Sequence, residues 1–320
     1  MFKPITTLAA GTLMVTSAAF GADVQTRTLS FDNEGSTLSG TLYLPATYQS
    51  GDRLPAVVVT GAWTSVQEQM PKNYAEKMAE RGFAAFTFDF RGWGKSGDLA
   101  ESKRYREDPA AKTDDIRAAI DFVAGLPEVD SARLNGLGIC ASAGYMVDAT
   151  AGNPKIQSVG LVAPWLQDES IVEAVYGGED GVAGLIKVSR EAASQGGQVI
   201  PAAGDVGAEG VLMPIGGYYY EADRGAIPEY DNKWDQASWE GWLTYHPADN
   251  PQRLDKPLAI VHSEAAAIPQ GVRTFLDGYL GGATMQWLED VTQFDFYDNP
   301  EDVTRAADTV AEHFRTSAQP

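Results

Sequence analysis

With 320 residues, the chain is long enough for one large α/β domain that carries an insertion. Its 44 acidic residues against 24 basic ones give a formal net charge of −20, which argues against a nucleic-acid or anionic-membrane surface. The acidic residues are spread along the chain, as expected for a solvated protein surface.

The first residues differ in kind from the rest. Lys3 precedes an apolar run over 5–19, which is too short to span a bilayer comfortably. Small residues occupy the −3 and −1 positions of a cleavage site before Ala22. We therefore predict a signal peptide over 1–21 and a periplasmic or secreted protein, with no later run long enough to span a membrane.

From residue 26 onward, apolar runs alternate with helical patterns. Two alternating runs joined by a turn predict an antiparallel strand pair, and the later runs predict parallel βαβ units with helices on both faces. The predicted strands outside the central turn cover 26–31, 38–44, 56–60, 84–90, 156–163, 258–262 and 284–288. The predicted helices cover 73–81, 114–124, 145–150, 171–176, 182–193, 270–279 and 300–314.

Residues 134–145 predict a strand that turns directly into a helix, where large side chains would clash. This small-residue pattern is typical of a nucleophile elbow, which places a nucleophile at a helix N-terminus. We favour Cys140 as the nucleophile, because Gly138 then precedes the turn and Ile139 ends the strand. Ser142 is the nucleophile in the alternative register. A buried cysteine that only packs as a small hydrophobic side chain is the remaining interpretation.

Cys140 is also the protein's single cysteine. In an oxidising compartment it cannot form an internal disulfide. It should therefore be buried, paired with another chain or chemically useful.

Residues 165–250 break the strand–helix alternation with glycine clusters and many aromatic residues. We predict that they form a cap or lid inserted into a core made of 22–164 and 251–320. The aromatic side chains either line an apolar pocket or form the cap's own core, and the sequence leaves both open. Those assigned to a substrate pocket are Trp165, Tyr219 and Trp239.

This layout resembles the α/β-hydrolase fold over essentially the whole mature chain, and in particular bacterial hydrolases related to dienelactone hydrolase. Residues 89–96 resemble the Asp-x-Arg-Gly-x-Gly-x-Ser loop common after the fourth strand. The turn around Cys140 resembles the nucleophile elbow, and 261–264 resembles the strand end that carries the acid. The fold class implied is a mostly parallel central sheet with helices on both faces and a cap insertion.

The resemblance implies acyl transfer to water. A thiolate attacks an ester, thioester or lactone, a histidine activates it, a carboxylate orients the histidine, and backbone N–H groups hold the oxyanion. The implied acid is Glu264, with Asp168 as an alternative. The implied oxyanion donors are Ala141 together with Ala62 or Trp63.

The sequence departs from the family at the base. The family's histidine follows the last strand, where Gln293 stands here, and glutamine cannot take a proton at neutral pH. Among the three histidines, His246 is the candidate that could reach Cys140 from between cap and core. His262 is interpreted as a core residue at the end of a buried strand, and His313 as a surface or packing residue.

Two functions from different classes follow. The first is an exported hydrolase that acts on an ester, thioester or lactone through Cys140. The second is a catalytically impaired hydrolase-fold protein that binds a small apolar ligand under the aromatic cap, because Gln293 replaces the histidine. A lyase or acyltransferase on the same scaffold is a third. The expected partner is a small molecule, and we expect no cofactor and no metal, since no metal-ligand spacing occurs.

Overall fold

The computed structural model describes residues 23–97 and 104–317. The predicted signal peptide over 1–21 lies outside the described residues. Within the described ranges, none of the helices has the length and apolar character needed to cross a membrane.

An eight-stranded sheet runs through the centre of the molecule. In chain order, the strands of the described residues, both inside and outside this sheet, are β1 (Gln25–Asn33), β2 (Ser36–Leu44), β3 (Leu54–Thr60), β4 (Ala84–Phe88), β5 (Val129–Ile139), β6 (Ile156–Val162), β7 (Val199–Pro201), β8 (Lys233–Asp235), β9 (Leu258–Ser263) and β10 (Ala283–Leu288). In the sheet their order is β1-β2-β4-β3-β5-β6-β9-β10. The first two pairings are antiparallel and all the following ones are parallel, while β7 and β8 form a separate antiparallel ribbon.

Helices cover both faces of this sheet. They are α1 (Met70–Glu80), α2 (Pro109–Ala124), α3 (Ser142–Thr150), α4 (Glu169–Tyr176), α5 (Gly178–Ser194), α6 (Trp239–Leu243), α7 (Pro269–Gly278), α8 (Asp295–Asp298) and α9 (Pro300–Ser317). A Cβ on Gly136 would meet Met146 of α3, whereas a Cβ on Gly160 would meet Val310 of α9. Gly136 pairs with Val159, the residue before Gly160, so α3 and α9 lie on opposite faces. The predicted fold class is therefore confirmed.

Some predicted boundaries need correction. Helix α2 begins at Pro109 and not at Asp114, because Asp108 caps it and its carboxylate accepts the N–H groups of Ala110 and Ala111. Helix α3 begins at Ser142 and not at residue 145, so the turn from β5 is even tighter than predicted.

The strand order fixes where a ligand site can form. From β3 the chain moves to β4 on one side and then to β5 on the other. Such a reversal opens a crevice at the carboxyl ends of the two central strands. The loops that follow β3 and β5 are thereby brought side by side. The stretch between β6 and β9, which contains α4, α5, α6 and the β7–β8 ribbon, joins them there.

Candidate active site

The turn between β5 and α3 holds Cys140 in a left-handed backbone conformation, with φ of +55°. A side chain rarely adopts this conformation unless the surrounding structure imposes it. A Cβ on Gly138 would lie 2.8 Å from Cα of Ala143 and 2.9 Å from the Ser142 carbonyl oxygen. Glycine is thus required at 138 so that strand and helix can approach closely.

Ser142 lies on the inner side of the turn and not in the cavity. Its hydroxyl is fully buried, accepts a hydrogen bond from Thr60 Oγ1 at 2.9 Å and contacts the backbone of Ile139 at 3.1 Å. The structure therefore places Cys140, and not Ser142, at the point of the elbow.

Cys140 is 6% exposed, and its thiol faces several hydrogen-bond donors. Burial raises the pKa of this thiol above its usual value. The Tyr297 hydroxyl, the backbone N–H groups of Ala141 and Trp63 and the Gln293 amide act against that rise. Of the two residues expected to supply the second oxyanion donor, Trp63 is thus the one whose N–H faces Sγ. The Ala62 carbonyl accepts from Ser65 Oγ at 2.7 Å.

Positive φ angles recur at the strand ends around the thiol. Thr64 after β3, Cys140 after β5, Ala163 after β6 and Ile268 after β9 have φ of +61°, +55°, +42° and +43°. Each costs of order 1–3 kcal/mol in a non-glycine residue. Such strain clusters at functional sites, where the surrounding structure determines the backbone conformation.

Gln293 is held by three hydrogen bonds. Its Oε1 accepts the N–H of Ala267 at 3.1 Å, while Nε2 donates to the Ala163 carbonyl at 2.9 Å and to the Tyr297 hydroxyl at 3.1 Å. Tyr297 is not among the residues predicted for the site. Its spacing of four from Gln293 is the available signal, because residues at i and i+4 share one face of a helical turn.

A cavity of about 380 Å³ opens beside the thiol. Within the described parts of the chain, no charged side chain lines it, so its polar groups are neutral hydroxyl, amide, thiol and backbone groups. Such a cavity fits a neutral, apolar ligand. Its lining residues are Trp63, Cys140, Ala141, Trp165, Met213, Ile215, Tyr219, Trp242, Ala265, Ala266, Ala267, Thr292, Gln293, Phe294 and Tyr297.

The aromatic residues of the insertion divide between the two roles left open by the sequence. Trp165 and Tyr219 line the cavity. Trp239 does not, because its ring packs 4.7 Å from Trp234 and 6.1 Å from Trp63. It belongs to an aromatic cluster behind the cavity wall.

The structure does not bring the predicted base or acid to the thiol. His246 Nε2 lies 3.0 Å from the Leu243 carbonyl and its Nδ1 is 3.5 Å from Asp249, away from the cavity lining. Glu264 forms an ion pair with Arg273 at 2.5 Å and accepts from the Trp287 indole at 3.1 Å.

The alternative acid, Asp168, has a structural contact instead. Its carboxylate caps α4 by accepting the N–H of Ile171 at 2.8 Å. No cluster of three or more metal-ligating side chains occurs in 23–97 or 104–317.

The other two histidines do not line the cavity either. His262 is fully buried in β9 with its ring edge-to-face against Trp287, 5.3 Å between centroids. Burial lowers the pKa of His262 to about 4. His313 is buried in α9, where Nδ1 lies 3.2 Å from Thr284 Oγ1.

The sheet order and the cysteine at a strained strand–helix turn define the class of protein: this is an α/β-hydrolase fold. The model of the dienelactone hydrolase family matches residues 38–165, which contain the elbow and the loops after β3 and β4. The chain therefore has the α/β-hydrolase fold and resembles the dienelactone hydrolase family over residues 38–165.

Similar proteins extend this result. The crystal structure of the hypothetical protein PA2218 from Pseudomonas aeruginosa has 25% sequence identity and a TM-score of 0.79, covering 98% of this chain and 99% of that one. In sequence, PA2218 is 40% identical over 139 residues, which are 43% of this chain and 36% of that protein. YcjY of Escherichia coli is 34% identical over 42% of this chain and 44% of its own length.

The sequence matches thus span less than half of these first relatives. A thiohydrolase of Eupenicillium brefeldianum is 27% identical over 71% of this chain and 73% of its own length. The family match and the hydrolases among the relatives support a hydrolase-type function.

Proposed function

We propose that this protein is a hydrolase that transfers a neutral, apolar acyl group from an activated ester or thioester to water through Cys140. The observation that carries the proposal is the position of Sγ. It stands at a strained elbow and faces the N–H groups of Trp63 and Ala141. Donors fixed in this way are the arrangement that stabilises a developing oxyanion.

The reaction proceeds in two steps. Sγ of Cys140 attacks the carbonyl carbon, the oxyanion forms against Trp63 and Ala141, and the thiol proton leaves with the departing alcohol or thiol. Water then attacks the acyl thioester, and the carboxylic acid departs while a proton returns to Sγ. The hydroxyl of Tyr297, which donates towards Sγ, stabilises the thiolate that leaves in this second step.

The site restricts the leaving group. No side chain lining the cavity is a base near neutrality, and burial keeps the thiol protonated. A poor leaving group such as an amide nitrogen would need a general acid, which this lining lacks. We therefore propose thioesters or aryl esters as the substrate class. The thiohydrolase relative supports testing thioesters first.

The test compares hydrolysis of p-nitrophenyl butyrate and of the butanoyl thioester of N-acetylcysteamine. Cys140→Ala should lose at least 100-fold in kcat/KM for both, as expected when a covalent nucleophile is removed. Ser142→Ala, which removes a hydroxyl hydrogen-bonded to Thr60 and Ile139 on the inner side of the turn, serves as the matched control and should keep the rate. Unchanged hydrolysis by a folded Cys140→Ala variant would exclude the proposal.

A Gln293→His variant tests whether a base at this position increases the rate of hydrolysis. Imidazole at this position accepts the thiol proton, so we expect p-nitrophenyl butyrate hydrolysis at pH 7 to rise by about 10- to 100-fold, below the full range for an oriented general base. The gain is limited because Glu264 is paired with Arg273 and leaves the histidine without a carboxylate. Gln293→Asn, which adds no base, is the control. Equal rates in the two folded variants would show that the proton does not leave through this position.

Binding without turnover is the second candidate. It is favoured by the raised thiol pKa and by the amide of Gln293, which holds no transferable proton. A neutral fluorescent probe, N-phenyl-1-naphthylamine, would then bind in the cavity. Trp242→Ala should weaken its binding, whereas Cys140→Ala should not. Absence of turnover together with this pattern would favour binding over hydrolysis.

We also propose that the protein is exported, on the basis of its N-terminal pattern. The mature chain in a periplasmic or secreted fraction should begin at Ala22. A chain that still begins at Met1 in that fraction would contradict cleavage at this site.

A further inference from the structure

A buried carboxylate lies behind the two oxyanion donors. Glu107 is 1% exposed and is not part of the cavity lining. Its Oε2 accepts the backbone N–H of Thr64 at 3.3 Å, and its Oε1 accepts the hydroxyl of Tyr145 at 2.9 Å. Thr64 directly follows Trp63, and Tyr145 lies in the first turn of the helix that begins after Ala141.

One carboxylate thus contacts both segments that carry the oxyanion donors. The contact matters most at Thr64, whose φ of +61° is unfavourable for a β-branched residue. Two contacts hold it in this conformation. They are the hydrogen bond to Glu107 and the 3.0 Å contact between Thr64 Oγ1 and the Tyr230 hydroxyl.

Lys112 is the counter-ion of this carboxylate. Its ammonium is fully buried and lies 2.8 Å from Oε1 and 2.9 Å from Oε2 of Glu107. It also sits over the rings of Phe90 and Trp93, at 4.7 and 4.8 Å from their centroids. A buried ion pair with these added contacts has few alternative positions, so the carboxylate is a rigid acceptor.

We propose that Glu107, fixed by Lys112, is a positioning residue for the oxyanion hole. Through Thr64 it orients the N–H of Trp63 towards Sγ, and through Tyr145 it fixes the helix that follows Ala141. The catalytic meaning of this inference rests on the proposed hydrolase function. Its geometric claim, that Glu107 orients the Trp63 N–H towards the Cys140 thiol, does not depend on that function.

The test uses Glu107→Gln, Lys112→Met and the double variant, in the full-length protein. Glu107→Gln leaves Lys112 without its counter-ion and loosens the contact to Thr64. The pH profile for alkylation of Cys140 by iodoacetamide should then move to higher pH, because the Trp63 N–H no longer favours the thiolate. In ester hydrolysis, kcat should fall at least tenfold while KM changes less than about twofold.

The double variant provides the rescue. Gln at 107 still accepts one hydrogen bond, and no unpaired ammonium remains, so part of kcat and of the thiol profile should return. If Glu107→Gln does not fold, the double variant is compared with the wild type: a thiol profile moved to higher pH with a lower kcat supports the inference, and a wild-type profile and kcat overturn it.

A matched control is the pair Arg91–Asp115, whose side chains are 2% and 0% exposed and 2.7 Å apart. The double variant Arg91→Met/Asp115→Asn should lower stability without moving the thiol profile. An unchanged thiol profile and kcat in folded Glu107→Gln would overturn the inference and leave a purely structural ion pair.

If the wild type hydrolyses no ester or thioester, the proposed function fails, and the pH profile of Cys140 alkylation alone still tests the positioning by Glu107.

Discussion

The hydroxyl of Tyr297 connects the two polar groups that face the cavity. It donates towards the Cys140 thiol and accepts from Gln293 Nε2 at 3.1 Å. The thiol is buried, so each donor that reaches Sγ counts strongly for the energy of the thiolate. Tyr297 therefore supports the thiolate form of Cys140 although it is not a base at neutral pH.

We expect Tyr297→Phe to raise the pKa of Cys140 further, because a donor to the thiolate is lost. The measurement is the rate of iodoacetamide alkylation against pH, which reports one thiol in this protein. The control is Tyr218→Phe, in which a hydroxyl is removed from a ring 5.2 Å from that of Tyr297. Identical profiles for Tyr297→Phe and the wild type would contradict the contact.

His262 makes stability depend on pH. Its pKa of about 4 in the folded protein lies below the usual 6.5, because burial disfavours the charged ring. The unfolded chain takes up this proton as pH falls below 6.5, whereas the folded protein does so only near 4. The stabilising contribution is therefore complete above pH 6.5 and is lost as pH falls towards 4, by about 3 kcal/mol in total.

Urea unfolding of the wild type and of His262→Gln at several pH values measures this effect. Between pH 7 and 4 the wild type should lose about 3 kcal/mol more than the variant. Asp89, whose pKa is raised to about 6 by burial, acts in the opposite direction, but it is present in both proteins and cancels in the difference. Parallel stability curves would contradict a buried, neutral His262.

The turn between the secondary-structure elements β5 and α3 requires that the strand and the helix approach each other closely. The atoms nearest to a Cβ on Gly138 belong to the backbone of α3, which cannot move aside as a side chain does. Gly138→Ala should therefore lower the free energy of unfolding by about 1–3 kcal/mol. Urea unfolding checks this value.

The matched control is Gly184→Ala. Gly184 lies in α5 and is exposed, and a Cβ added there would meet no atom within 4 Å apart from its chain neighbours and the backbone of its own helix. Alanine there should raise stability by up to about 1 kcal/mol through helix propensity. Equal effects of the two substitutions would show that the close approach at Gly138 is unimportant.

The local sequence pattern predicts strand β3 correctly but misplaces the start of helix α2. Val57, Val58 and Val59 are fully buried, so their apolar run correctly predicts a central strand. The sequence places the start of α2 too late, because Asp114 and Asp115 are typical of an acidic first turn. Asp115 is instead buried mid-helix and pairs with Arg91.

At the scale of the whole molecule, strand order explains which parts of the site were predictable. Cys140 follows β5 directly and Gln293 lies in the loop after β10, and the topology alone brings such positions to one edge. Side-chain direction is set by neighbours that are distant in sequence. Arg273 and Trp287 both contact the Glu264 carboxylate, and no local pattern of the sequence predicts these contacts.

The insertion is also fixed by distant contacts. The Gln167 amide donates to the Trp242 carbonyl at 2.8 Å and to the Tyr245 carbonyl at 2.9 Å, and the Trp63 and Trp242 rings stack at 4.8 Å. One wall of the cavity is thereby tied to the loop after β3, which carries the proposed oxyanion donor Trp63. Cavity shape and the position of the Trp63 donor are coupled through this stack.

Intact-mass spectrometry after brief mixing with a butanoyl thioester tests the central claim, that Cys140 forms a covalent acyl intermediate, most directly. We predict one added butanoyl group on the wild type, located at Cys140 by peptide mapping, which disappears as the acid is released. Cys140→Ala should remain unmodified. Thioester hydrolysis without this adduct, and at an equal rate in Cys140→Ala, would contradict the proposed mechanism.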